Sequence, residues 1–117
     1  MPGYYQLVEA SDGNTCFQLR AGNHEVIFIS RIFRSRQAAL EGVAWMRLHG
    51  AERFRFHRHT SSEGSPYFKL VDDDGQEVGR SALYASRSGV DAGIASVCRN
   101  CTVTIFRGLI RRTSLVD

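Results

Sequence analysis

Sliding the chain by 51 residues lays residues 4–50 over residues 55–101 without a gap, and nine of the 47 aligned pairs are identical. Average composition predicts about three such identities by chance. The identities are Ser11/Ser62, Gly13/Gly64, Phe17/Phe68, Leu19/Leu70, Ser30/Ser81, Ser35/Ser86, Arg36/Arg87, Gly42/Gly93 and Ala44/Ala95. Apolar character persists at Ile27/Val78, Ile32/Leu83, Phe33/Tyr84, Val43/Ile94 and Met46/Val97, and turn residues fall on turn residues. An internal repeat of this period constrains the fold more than any single motif, because each copy must form the same supersecondary unit.

Each unit reads in the same order. In the first, YYQLVEA (4–10) is β-rich and ends at the turn signal SDGN. TCFQLRA (15–21) alternates apolar and polar residues, the period of a half-buried strand. GN (22–23) marks a tight hairpin and EVIFIS (25–30) a third strand. In the second, 53–60, 67–71 and 77–81 replay the three strands, with turns at 61–66 and 72–76 and Pro66 at a turn mouth. A helix follows in each unit. Ser35 and Ser86 are the N-cap candidates, able to accept from first-turn amides. Ala39, Leu40, Val43 and Met46 form one apolar stripe; Val90, Ile94 and Val97 form its counterpart, with Asp91 departing from Leu40. Gly42 and Gly93 border those stripes. A helix-interior glycine costs about 0.8–1 kcal/mol against alanine, and close approach of the helix backbone to a sheet or partner helix would offset that cost.

After the second helix, 102–108 is β-rich again, as 51–57 is after the first. Each unit is therefore β-β-β-α-β, and 52–60 is expected to be one long strand that ends the first unit and begins the second. A lone unit of this size buries too little apolar surface to stand by itself. The expected fold is one α+β domain: a mainly antiparallel sheet with both helices on one face, pseudo-twofold symmetric, with shared or swapped strands. Its repeats are about 3–52 and 53–107, and 108–117 is a C-terminal tail.

FQLRAGNHEVI and SRIFRSRQAALEGVAWM, then FKLVDDDGQEV and SALYASRSGVDAGIASV, together resemble the YegP-like family of small bacterial proteins, a domain of unknown function. The resemblance covers nearly all of residues 3–101. It implies one sheet built from two such units with exchanged terminal strands, and it brings no catalytic residues with it. Asp72–Asp74 and Val90–Asp91 depart from the family pattern, in a turn and on a helix face.

Function is less legible than fold. The net charge of +3 and the pI near 9.0 are a weak electrostatic footprint for nucleic acid. Fourteen of the 15 basic side chains are arginine, with Lys69 the one lysine. In RFRFHRH, strand alternation would put Phe54 and Phe56 on a core face, and Arg53, Arg55, His57 and His59 on an exposed face able to grip phosphates. Trp45, beside the apolar stripe, is either half-buried core or an exposed interaction residue. These five side chains, Arg53, Arg55, His57, His59 and Trp45, form the candidate binding surface. CRNC (98–101) could be half a zinc site or a thiol couple. Yet Cys98 and Cys101 end a helix, where its dipole disfavours the thiolate, and no second ligand pair has zinc spacing. Three cysteines make no closed disulfide framework. No Ser-His-Asp set, paired carboxylates, Walker loop or dinucleotide fingerprint is present. The expectation is a non-enzymatic, cytoplasmic module, monomer or homodimer, with no cofactor and no membrane. It would bind a protein or nucleic-acid partner or a small anion. A zinc or thiol-redox protein using Cys98 and Cys101 is the alternative.

Overall fold

A computed structural model describes residues 2–115 and carries both repeats in full. Its elements are β1 (Tyr4–Ala10), β2 (Thr15–Arg20), β3 (Val26–Ser30), α1 (Arg36–His49), β4 (Phe56–Thr60), β5 (Pro66–Val71), β6 (Glu77–Arg80), α2 (Arg87–Asn100) and β7 (Phe106–Arg112). The bounds of α1 and α2, and those of β2 and β5, coincide at the 51-residue offset. All seven strands form one sheet in the order β4-β5-β6-β3-β2-β1-β7. Every pairing is antiparallel except β1 with β7, which is parallel. β7 follows α2 yet closes the edge of the first unit, and β4 follows α1 yet opens the second. The units are therefore interlocked by their terminal strands.

The same local devices recur in both units. Ser35 and Ser86 cap their helices by accepting from Ala38 and Gly89 amides at 3.1 Å. Ser30 Oγ is buried and accepts the Phe17 amide at 2.8 Å, as Ser81 Oγ accepts that of Phe68 at 3.0 Å. The ladder slips by one residue after Leu19 and again after Leu70. Gly13 and Gly64 take φ of 90° and 89°, while His24, with φ of 70°, stands where Gly75 stands in the second unit. Pro66 is the exception: Thr15, its counterpart, bridges Phe33 in both directions, and proline can only accept, from Tyr84 N–H at 2.8 Å.

Both helices pack on one face over Tyr5, Phe17, Leu19, Phe28, Phe56, Phe68 and Leu70. The expected stripe residues Ala39, Val43 and Met46, with Val90, Ile94 and Val97, are all buried there. The helix glycines have a specific neighbour. A Cβ at Gly42 would stand 2.6 Å from Phe33 Cζ, and one at Gly93 would strike the Tyr84 hydroxyl. Each glycine thus admits the aromatic ring that precedes its own helix.

The pseudo-twofold axis passes through the β3–β6 pairing, where Ile29 faces its own counterpart Arg80. Near an axis a side chain meets its own copy, and two large copies cannot both fit. A Cβ at Gly79 would run into the ring of Phe28, its counterpart. A Cβ at Gly50 would lie 2.8 Å from Cys101 Cβ, again its counterpart. At both places one copy is large and the other is glycine.

Two expected boundaries move. Residues 53–55 are a 3-10 turn, and the long strand expected over 52–60 is reduced to Phe56–Thr60. Glu52 draws the backbone round by holding both His49 Nδ1, at 2.6 Å, and Arg55 Nε, at 2.9 Å. The last strand runs over Phe106–Arg112, later than the expected 102–108, so residues 109–112 of the expected tail 108–117 are paired with β1. Within that tail, 116–117 lie outside the described residues.

Candidate functional site

The expected basic surface divides in two. His57 and His59 do point from β4 to the face opposite the helices, paired across the sheet with Lys69 and Tyr67. Arg53 is exposed in the 3-10 turn, and so lies off the strand face it was expected to share. Arg55 is a correction: its side chain is only 6% exposed, held by Glu52 at 2.9 Å and by Asp73 at 2.8 Å. Its guanidinium lies 5.3 Å from the Trp45 ring and 4.9 Å from the Phe54 ring. Phe54, expected in the core, is 72% exposed and serves as the outer wall of that arginine. Trp45 is half-buried against the core, with the His49 ring tilted against it at a centroid distance of 4.9 Å. It also lines a cavity of about 260 Å³ with Arg31, Phe33, Glu41 and Asp72. The turn's change of backbone direction separates Arg53, Arg55 and Trp45 from the two histidines.

The histidines have other companions. The one-residue slip at Val78, within β6, puts both Glu77 and Arg80 on the open face beside Lys69. Arg80 grips the Glu77 carboxylate through Nε at 2.9 Å and Nη2 at 2.8 Å, and Lys69 Nζ stands 3.4 Å from it. Arg80 also lies 5.6 Å from the Tyr67 ring, and His59 stacks on the other side of the row with ring centroids 5.6 Å apart. Six side chains, His57, His59, Tyr67, Lys69, Glu77 and Arg80, thus form one cluster.

Its electrostatics follow from crowding. Partial burial lowers the His59 pKa below the ordinary imidazole value, and the charges of Lys69, His57 and Arg80 lower it further. Hydrogen bonding to Arg80 holds the Glu77 carboxyl below its ordinary range. The site therefore holds two cations against one carboxylate at neutral pH, and the His59 imidazole can add charge on acidification.

The equivalent positions in the first unit are Gln6, Val8, Cys16, Gln18, Val26 and Ile29. None is charged. Val8 and Cys16 are buried there with Tyr4 and Ala10, all outside the helix-side core. Arg107 lies 4.8 Å from the Tyr4 ring, and Tyr4 Oη bonds His24 Nδ1 at 2.8 Å. Tyr67, Lys69, Glu77 and Arg80 were absent from the sequence-derived surface. Alternation in 67–71 carries the signal for Tyr67 and Lys69; the slip in register hides it for Glu77 and Arg80.

Cys98 and Cys101 serve packing. Cys101 is buried on the axis against Gly50, and its carbonyl accepts the Tyr5 hydroxyl at 2.6 Å. Burial pushes its thiol pKa up, with Cys98 adding to the shift, the reverse of what a redox nucleophile needs. All three cysteines are free, and among the described residues no group of three or more His, Cys, Asp or Glu is placed to hold a metal ion. Among those residues no helix is long and apolar enough to cross a membrane.

Comparison with known proteins agrees with the repeat. The model of a domain of unknown function, DUF1508, matches twice, over residues 10–55 and 61–105. A UPF0339 protein of Bordetella pertussis is 41% identical over 100 residues, covering 86% of this chain and 89% of its own. The UPF0339 protein YegP of Escherichia coli is 36% identical over 102 residues, covering 87% and 93%. The solution structure of the E. coli protein, titled as of unknown function, superposes with a TM-score of 0.82 at 33% identity, covering 95% of this chain and 93% of that one. That of a UPF0339 protein from Shewanella oneidensis superposes with a TM-score of 0.84 at 30% identity and the same coverage, 95% and 93%.

Proposed function

This chain belongs to the DUF1508 family, whose function is unknown, and on that premise we propose that it is a non-enzymatic, cytoplasmic module that binds an anionic partner. The binding surface is the open-face cluster of the second unit. One observation carries this reading: all six positions of that cluster differ between the units, whereas the capping serines, buried serines and helix glycines are identical. Away from the axis, a position needed only for folding is under the same demand in both copies, so a cluster that sets His57, His59, Lys69 and Glu77 together in one copy alone supports another use. Free cysteines fit a reducing compartment.

Phosphate and carboxylate are the groups this chemistry suits. Arg80 spends Nε and one Nη on Glu77 and keeps its other Nη free. Lys69 has three donors and a single carboxylate neighbour, and His57 and His59 stand beside it as further donors. Tyr67, flanked by His59 and Arg80, holds the donors of the row apart.

Amide and imidazole resonances would be followed while a single-stranded oligonucleotide, polyglutamate or inorganic phosphate is added. Shifts at residues 57, 59, 67, 69 and 80 are expected, weakened by Lys69→Gln and Arg80→Gln. With two or three phosphate contacts, log K should fall against log salt with a slope of about −1.4 to −2 for a single strand. Binding that ignores salt, or shifts confined to other residues, would overturn the reading. The three probes separate nucleic-acid, protein and small-anion partners.

A further inference from the structure

β7 closes the outer edge of β1, while the outer edge of β4, its counterpart at the 51-residue offset, has no strand beside it among the described residues. On β1 the outward-turned residues are Tyr5, Leu7 and Glu9. Tyr5 N–H reaches Ile105 O at 2.8 Å, and Leu7 and Glu9 pair with Leu109 and Arg111. Their counterparts on β4 are Phe56, Arg58 and Thr60. The Phe56 amide is already taken by Arg53 O, so the 3-10 turn closes the start of the edge. Alternation leaves Arg58 and Thr60 facing outward.

The space beneath the two edges differs in the same sense. In the first unit β7 sets Leu109 against the helix-side core. In the second unit there is a cavity of about 320 Å³ lined by Arg58, His59, Thr60, Pro66, Arg87 and Val90. Charge differs as well. Glu9 holds Arg36 at 2.9 and 3.2 Å and Arg111 at 3.4 Å. Thr60 replaces Glu9 in the second unit, and Arg87, the counterpart of Arg36, has no carboxylate partner among the described residues. Arg58 and Asp91 form an ion pair where the first unit has Leu7 and Leu40.

We propose that the β4 edge takes an extended acidic peptide segment of a partner protein, lying parallel as β7 lies on β1, with a carboxylate on Arg87 and an apolar side chain in the cavity. Main-chain bonds to an exposed edge supply affinity in such strand addition, and alternate side chains supply selectivity. A second copy is a poor occupant, because edge-to-edge pairing of β4 would set Arg58, His57 and His59 against their own kind. The proposal stands apart from the open-face reading: Arg87 and Arg58 lie on the helix side of the sheet, and Lys69 and Arg80 lie on the other.

The test is amide NMR with three capped probes: a peptide alternating valine and glutamate, its lysine analogue, and the acidic peptide N-methylated at alternate residues. The acidic peptide is expected to shift the Arg58 and Thr60 amides. Arg87→Gln should weaken the binding read at those two amides by about tenfold, as loss of a charge-assisted hydrogen bond implies, while Lys69→Gln weakens only shifts read on the open face, at residues 67, 69 and 80. Equal binding of the N-methylated or the lysine peptide would overturn strand addition, as would β4 amides that stay in place at millimolar peptide. Peptide binding lost through Lys69→Gln and kept in Arg87→Gln would move the site to the open face and overturn this proposal alone.

Discussion

The two halves of the sheet share one backbone plan and carry opposite chemistry on their open faces. In the first unit Val8 and Cys16 are buried there and no aligned position is charged. In the second the same positions hold His59 and Tyr67, flanked by Lys69, Glu77 and Arg80. On the helix side the halves agree at the serine caps and at the glycines that admit Phe33 and Tyr84, and differ along the outer edge, where Arg58 and Asp91 replace Leu7 and Leu40. Divergence thus has two separate sources. On the open face the copies are free to differ. Near the axis they are obliged to, because Phe28 against Gly79 and Cys101 against Gly50 leave room for one large partner only.

The obligatory kind should break hardest. Gly79→Phe, which makes the copies alike, would set a second ring on Phe28 and a Cβ against the Ile29 carbonyl. Overpacking typically costs about 1–3 kcal/mol and occasionally more; with backbone in the way, a loss of about 4 kcal/mol or outright unfolding is expected in urea titration. Phe28→Gly should cost about 3–5 kcal/mol as a cavity. The double variant moves the ring to the other copy and should be more stable than Gly79→Phe alone. No recovery at all would mean that the backbone, and not the axis, excludes a side chain at Gly79.

Next in size is the glycine–aromatic pair. Gly93→Ala and Gly42→Ala should each cost about 1–3 kcal/mol, since Tyr84 beneath the one is half-buried and Phe33 beneath the other is buried, and each must shift. The halves should differ in rescue. Tyr84→Phe removes the atom nearest the new methyl in the second unit and should recover part of the loss. Phe33 has no hydroxyl to remove, so its ring must shift as a whole. Equal cost with no recovery in Tyr84→Phe would show that the rings slide freely beneath both helices.

Helices, turns and hairpins were legible in the residues because each is decided locally: Ser35 and Ser86 cap, the stripes follow helical period, and the offset aligns the rest. Three features escaped because each depends on residues distant in sequence. The 3-10 turn at 53–55 needs Asp73 and Trp45 to receive Arg55. β7 finds β1 in register only when the whole sheet exists. The slip at Val78 within β6 reverses which face a residue takes, so alternation alone could not place Glu77 and Arg80 together with the histidines. The candidate site was therefore half visible, as His57 and His59 with Tyr67 and Lys69 within reach of alternation, while Glu77 and Arg80 were concealed by one residue of register.

The smallest effect tests the freely diverged face. His59 meets His57 from its own strand, Tyr67 and Lys69 from β5, and Arg80 and Glu77 from β6. Its folded pKa lies below the unfolded value near 6.5, so the unfolded chain takes up the proton first as pH falls. Stability attributable to His59 is then lost downward from about pH 6.5 until the folded imidazole also protonates. Glu77 acts in a separate, lower window: its carboxyl, held down by Arg80, forfeits its contribution only as pH falls below about 4.5. Measured between pH 7.5 and 5, wild type should lose stability relative to His59→Asn, by less than either effect above because the ring is mostly exposed. Saturating inorganic phosphate should reverse the sign, since a bound anion favours the charged imidazole and binding then draws in a proton. The aligned position in the first unit is Val8, so Val8→Ala should shift stability equally at both pH values. A phosphate effect that survives His59→Asn would place the anion elsewhere on the sheet, and the two open faces would then differ in charge without differing in use.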